Sequence, residues 1–323
     1  MSTKLTILYL LDILKRKTDE QHPLSSTQLI NEVYQASHQQ ILMERKAIYR
    51  DIQTLIDYGH DILQIRENNV RGYYYANNEF ETAEIKILMD AIEASSSIST
   101  KKTKQLISKL TNLVSEHDAK HLQWQINYTS TKSENEHLLY NVDTINQAII
   151  HNQAITFQYF DLDIQHKRIA RKKDYQGIPY ALLWDQDKYY CVLYIEKYNT
   201  FSNYRLDKMD NIDSLETNHI RLPFDAKEHI KNTMSMYKGQ KTTIQLRCDN
   251  NQTLISHLFE RFGKDMMIQD IQDDAFTIAI SIELSPIFYG WLFQWTPQIE
   301  VISPVYVKEQ YQAMLSTALE KYI

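Results

Sequence analysis

The hydrophobic period of this chain changes near Ala154, and that change limits what it can fold into. Up to about residue 151, apolar residues recur every three or four positions. From Ala154 the period is two: Ile155-Thr156-Phe157-Gln158-Tyr159 alternates, as does part of Tyr190-Cys191-Val192-Leu193-Tyr194. A helix offers its apolar stripe at a spacing near 3.6 and a half-buried strand at every second residue. A 323-residue chain with a helical first part and a strand-rich second part is too long for one compact core. It reads as an α+β multidomain protein. The 22 tyrosines, many in the alternating stretches, favour strands with aromatic faces.

Several function classes lose support. The six glycines, Gly59, Gly72, Gly177, Gly239, Gly263 and Gly290, are too dispersed for a P-loop, a GxGxxG turn or a nucleophile elbow. The eleven histidines form no HExxH or other metal-ligand spacing, and Cys191 and Cys248 form no CxxC. The expectation is therefore a chain that is not an enzyme and needs no cofactor, with two buried free thiols. No stretch approaches the roughly 18 apolar residues of a membrane span, so a cytoplasmic protein without a membrane partner is expected. The net charge of −6 does not announce nucleic-acid binding, and any DNA contact must come from a local patch.

The first 75 residues carry such a patch. Leu5, Leu8, Leu11 and Ile13, with Tyr9, suggest an opening helix whose pattern stops at Pro23. Ser25 stands three residues before Gln28, a capping-box spacing, and Leu29, Ile30 and Val33 follow on a second helix. A third helix from about Glu44 to Tyr58 ends at Gly59. Its residues Ile48, Ile52, Leu55 and Ile56 recur at core spacing, while Arg45, Lys46, Tyr49, Arg50 and Gln53 fall on the other side. Two strand-like runs, Ile62–Arg66 and Val70–Tyr75, surround Glu67-Asn68-Asn69, a turn signal. Three helices followed by a hairpin is the order of a winged helix, with Arg66 and Arg71 flanking the tip of the wing.

The run Glu44-Arg45-Lys46-Ala47-Ile48-Tyr49-Arg50-Asp51-Ile52-Gln53-Thr54-Leu55, then Gly59 and Gly72-Tyr73-Tyr74, resembles the recognition helix and wing of DeoR-like and WYL-family regulators. The later chain resembles the same family. Pro179–Leu183, Tyr189-Tyr190-Cys191 and Tyr204–Met209 are similar to the WYL domain, with Tyr189-Tyr190-Cys191 at the name-giving triplet and Lys208 where arginine is common. The resemblance implies a winged helix-turn-helix over 1–77, a helical linker over 78–137, an SH3-like WYL β-barrel over 138–217 and an α/β C-terminal extension over 218–323. Within the linker, Ile85, Leu88, Met89 and Ile92 line one expected helix, and Leu106, Leu110 and Leu113 a second over 101–116. The extension reads as a βαβαβα-like run.

This organisation predicts a ligand-responsive transcriptional regulator, expected to be a homodimeric repressor of a double-stranded DNA operator. Arg45, Lys46, Tyr49, Arg50, Gln53, Arg66 and Arg71 would contact DNA. The basic run Gln165–Lys173 has five cations and no acid. With the resemblance to a sensor domain, it suggests an anionic effector, a nucleotide or short single-stranded nucleic acid. Arg168, Tyr180, Tyr190, Tyr204, Arg205 and Lys208 would hold it, and Asp207 would orient Arg205. The alternative is an interaction or RNA-binding protein whose winged helix contacts a protein. It rests on charge balance: residues 1–75 hold nine Lys and Arg against nine Asp and Glu.

Overall fold

The computed structural model describes residues 3–67, 70–76, 79–123, 132–216 and 219–323. They form two compact units, Met1–Glu136 and His137–Ile323. Asn68 and Asn69 of the expected turn lie outside the described residues.

The first unit opens with α1 (Thr3–Lys17), β1 (Leu24–Ser25), α2 (Ser26–Ala36), α3 (Arg45–Tyr58), β2 (Ile62–Glu67) and β3 (Val70–Tyr75). The strands form an antiparallel sheet in the order β1-β3-β2. Both halves of the Ser25–Gln28 capping box are made, and Gly59 ends α3 at φ 111°, where a side chain would be strained. Thr18 ties the end of α1 to the sheet: its hydroxyl donates to the Leu14 carbonyl and accepts from the Tyr75 amide at 3.0 Å. The core gathers Leu10, Leu14, Leu29, Val33, Ile48 and Ile52.

The expected phase of α1 is corrected. Leu10, Ile13 and Leu14 face inward, whereas Leu5 and Leu8 are exposed. A leucine-rich helix carries two overlapping apolar stripes, and periodicity alone does not choose between them. Ile56 is likewise exposed, one position beyond the buried stripe of α3. Three further helices follow: α4 (Thr82–Ala94), α5 (Thr100–Thr111) and α6 (Glu116–Gln123). The expected single helix over 101–116 thus stops at Thr111, and Ile107 and Val114 rather than Leu113 are buried with Ile85 and Met89.

The second unit begins with α7 (Leu138–Ile150), whose Asn141 donates from Nδ2 to the Met209 carbonyl at 2.9 Å. It continues with β4 (Ala154–Leu162), β5 (Arg168–Asp185), β6 (Lys188–Ile195), β7 (Thr200–Arg205) and β8 (Met209–Leu215). These form one antiparallel sheet in the order β7-β6-β5-β4-β8. The period of two from Ala154 is thereby accounted for: alternate residues Ile155 and Phe157 are almost fully buried.

After α8 (Ala226–Asn232) come β9 (Gln240–Asp249), α9 (Gln252–Phe262), β10 (Met267–Gln269), β11 (Ala275–Leu284), α10 (Pro286–Gln294), β12 (Ile299–Ser303) and α11 (Val305–Leu319). The sheet order is β10-β11-β9-β12. This is a βαββαβ arrangement of the ferredoxin-like kind with a terminal helix, not the expected βαβαβα run. The three-residue β10 is too short to show a period of its own. Cys191 and Cys248 are buried free thiols, and burial pushes both up, Cys248 to about 12.

Candidate functional site

Two surfaces carry the expected functional residues, one in each unit. On the first, α3 presents Arg45, Lys46, Tyr49, Arg50 and Gln53 to solvent. Arg45 donates from Nε to Ser26 Oγ at 3.1 Å, and the Tyr49 hydroxyl lies 3.3 Å from the same oxygen. Ser26 is the first residue of α2, so two helices fix these side chains together. The Tyr49 phenol is held below its usual range by the Ser26 hydroxyl first, then by the Arg45 and Arg71 charges. Arg71 of β3 therefore shares the electrostatic neighbourhood of Arg45 and Tyr49. Arg66 and Arg71 stand directly opposite on β2 and β3. Like charges paired across strands are unfavourable, and an anion beside them would relieve the repulsion. Gln53 is turned to its own helix, donating to Asp57 Oδ1 at 2.8 Å.

The second surface lies on the five-stranded sheet. Phe157, Tyr159, Tyr175 and Tyr204 form an aromatic cluster with ring centroids 5.1–6.4 Å apart. Arg171 covers it, with its guanidinium 4.9 Å from the Tyr159 ring and Nη1 3.3 Å from the Tyr175 hydroxyl. Lys173 stands 5.3 Å from the Tyr175 ring and 5.8 Å from that of Tyr198. The Tyr159 hydroxyl accepts from the Arg205 amide at 3.3 Å, and burial raises this phenol to about 12, so it stays protonated.

Each expected effector-binding cation here has a carboxylate. Arg205 makes a two-pronged contact with Asp207 (3.1 and 2.6 Å), the orienting contact expected from the sequence. Lys208 and Arg171 share Asp161 at 3.0 and 2.6 Å. Arg168 pairs with Asp210 at 3.1 Å and lies over Phe160. Hydrogen bonds from Arg171 and Lys208 hold the Asp161 carboxyl down to about 2. Because its folded value lies below the ordinary 3.8, the stabilisation it gives is complete above about pH 4 and is lost as pH falls towards 2. The aromatic–cation cluster is therefore expected to keep its near-ultraviolet circular dichroism from pH 7 to pH 4. In Asp161→Asn, where two cations lose their shared partner, the signal at pH 7 should already be altered.

Not all the expected residues meet. Tyr204, Arg205 and Lys208 gather about the aromatic cluster, and Tyr190 lies opposite Arg205 across β6 and β7 but is buried. Tyr180 belongs to another nest with Tyr194, Phe201 and Phe224. There its hydroxyl meets His219 Nε2 at 2.9 Å and accepts from the Leu222 amide at 2.8 Å. Tyr159, Tyr175 and Asp161 were not anticipated. The first two do stand in the alternating or basic runs, but nothing local marks Asp161 as a partner of Lys208, 47 residues away.

Among the described residues there is no group of three or more His, Cys, Asp or Glu arranged to hold a metal. None of the described helices is long and apolar enough to cross a membrane. No curated protein matches the chain. Solved structures similar to it include these two. Proteasome accessory factor B/C (PafBC) of Arthrobacter aurescens is 17% identical over 94% of this chain, with a TM-score of 0.28, and the match spans 45% of that protein. A CRISPR Cas-related protein is 14% identical over 99% of this chain and 84% of its own, with a TM-score of 0.38. The WYL domain model matches residues 140–214, the span from α7 to β8. The part of the chain similar to the WYL domain is thus α7 with the five-stranded sheet.

Proposed function

We propose that the protein is a DNA-binding transcriptional regulator whose operator affinity is set by an anionic effector at the WYL domain. The observation that carries the reading is the convergence of Arg45, Tyr49 and Arg71 beside Ser26 on an exposed face of the first unit. In this reading residues 1–77 are a winged helix-turn-helix: α3 enters the major groove and the β2–β3 hairpin is the wing. Residues 78–137 link it to the sensor at 138–217, and 218–323 form the extension. Lys46 and Arg50 join Arg45 on the groove, and Gln53 is reassigned to a contact made only if it leaves Asp57.

The effector, a nucleotide or short single-stranded nucleic acid, is placed on the Tyr159–Tyr175–Tyr204 face. Bases would stack on the half-buried Tyr175 and Tyr204 rings, Tyr159 being buried, and Arg171, Lys173, Arg205 and Lys208 supply charge. Because carboxylates already neutralise three of those cations, binding must rearrange the Asp161 and Asp207 pairs. Such a rearrangement is what gives a ligand unequal affinity for two states, the condition for regulation. Repression is the expected direction of control. The second reading, a protein-binding winged helix, is favoured only by the balanced charge of residues 1–75.

A gel shift on the duplex upstream of the protein's own gene tests the reading. A retarded complex competed by the same unlabelled duplex and not by an unrelated one supports it. The protein is further expected to bind as a two-fold homodimer, since paired half-sites raise specificity. Light scattering at micromolar concentration should give twice the 38.3 kDa chain mass. A monomer both free and on DNA would remove this part.

A further inference from the structure

Asp51 is the anomaly of α3. It is the one charged residue on the buried face of the helix, beside Ile48, Ile52 and Leu55, and is only 4% exposed. Its Oδ1 lies 3.6 Å from Nε of Arg50, whose side chain is 67% exposed. Its Oδ2 is sealed from solvent and has no hydrogen-bond partner among the described residues. A buried carboxylate oxygen without a partner is costly, and native structures keep one only where something offsets the cost. The surroundings offer no such compensation. The adjoining open groove is lined by Thr6, Gln40, Lys46 and Arg50, and none of them bonds to Oδ2.

We propose that Asp51 is a positioning residue for Arg50: the buried carboxylate steers the Nε edge of the guanidinium inward, leaving the two terminal nitrogens directed at a base edge. The proposal rests on the DNA-binding reading above. Free in water, an arginine side chain samples many rotamers, and ordering it on binding reduces affinity. A carboxylate fixed in the helix restricts that freedom beforehand. Its negative charge also lies behind Arg50 and opposes any backbone phosphate that approaches. Both effects act in the same direction. Arg50 becomes a poorer general anchor for polyanions and a better reader of one base, and a guanine edge with two acceptors fits its two outward donors.

The consequence separates this role from a structural one. Asp51→Asn keeps the shape and removes the charge. Discrimination against a substituted base pair should then fall about five-fold or more, while affinity for an unrelated duplex should rise. Melting temperature should hold or increase, because a poorly partnered buried charge has gone. A residue that only supports the fold would lower melting temperature and both affinities together.

The test uses the full-length protein. A random-sequence duplex library is selected on wild type, and dissociation constants are measured for the best duplex, its single-base variants and an unrelated duplex. The same set is measured for Asp51→Asn, Arg50→Lys and the double variant. Lysine has no Nε and no fork, so Asp51→Asn should change discrimination little in the Arg50→Lys background. This arm keeps the test decisive if Asp51→Asn alone lowers stability. Loss of discrimination with tighter unrelated binding, absent in the lysine background, supports the assignment. Unchanged discrimination, or equal effects with arginine and lysine at position 50, overturns it while the DNA-binding reading stands. If wild type selects no sequence, both fail.

Discussion

Arg45→Ala together with Arg50→Ala should abolish sequence-specific binding and leave the fold intact. Neither side chain contributes to the core: both point to solvent from α3, whose inner face is Ile48, Ile52 and Leu55. Arg45 loses one hydrogen bond to Ser26, an interaction at a partly exposed site. A bidentate arginine–guanine contact is worth about 1–3 kcal/mol, so two removed together cost on the order of 30-fold to 10⁴-fold in operator affinity. Binding to an unrelated duplex should weaken much less, with a shallower dependence on salt, because two cations no longer release counterions. Circular dichroism should match wild type, and the melting temperature should fall only modestly, by the loss of the Arg50–Asp51 ion pair and the Arg45–Ser26 bond. Unchanged operator binding by a folded double variant would mean that α3 is not the reading element.

Arg205→Ala with Lys208→Ala should remove the response to effector and spare operator binding by the effector-free protein. The two cations lie on the second unit, beside the aromatic cluster, and hold Asp207 and Asp161. Their loss removes two charges from the proposed anion site and leaves the Asp207 and Asp161 carboxylates less neutralised, Asp161 keeping Arg171 at 2.6 Å. Tyr204→Ala should have a related effect by a different route. Stacking of a base on an aromatic ring is worth about 1–3 kcal/mol, which is about 5-fold to 150-fold in affinity. Binding of nucleoside triphosphates and short single-stranded oligonucleotides can be followed by calorimetry. Equal binding to wild type and the double variant, or to neither, would place the effector elsewhere.

Much of the first unit was legible because its signals are local. The Ser25–Gln28 box, the Gly59 stop and the apolar spacing of α3 each act within one or two helical turns. Arg66 and Arg71 could be put at the hairpin because cross-strand register follows from a short turn. The proposed effector face was legible only in part. Tyr180 and Tyr204 look alike in sequence, since both sit in alternating aromatic strands. However, the β5–β6 register shifts between Pro179 and Ala181, at Tyr180 itself, and alternation cannot be counted through a bulge. The carboxylate partners were invisible for another reason. Asp161 and Asp210 reach Lys208 and Arg168 across 47 and 42 residues of chain, and only the fold brings them together. The basic run at 165–173 therefore overstated the positive charge of the surface.

The proposed coupling between DNA and effector is addressed directly by one titration. Full-length protein is titrated into a labelled duplex from upstream of its own gene, with and without saturating single-stranded oligonucleotide or nucleotide, at fixed salt. Anisotropy is the readout. The expected result is a shift of at least several-fold in operator affinity with one of these anions, absent in Arg205→Ala/Lys208→Ala. An operator affinity that is the same with and without every anion tested, although the anions bind the protein, would contradict the account.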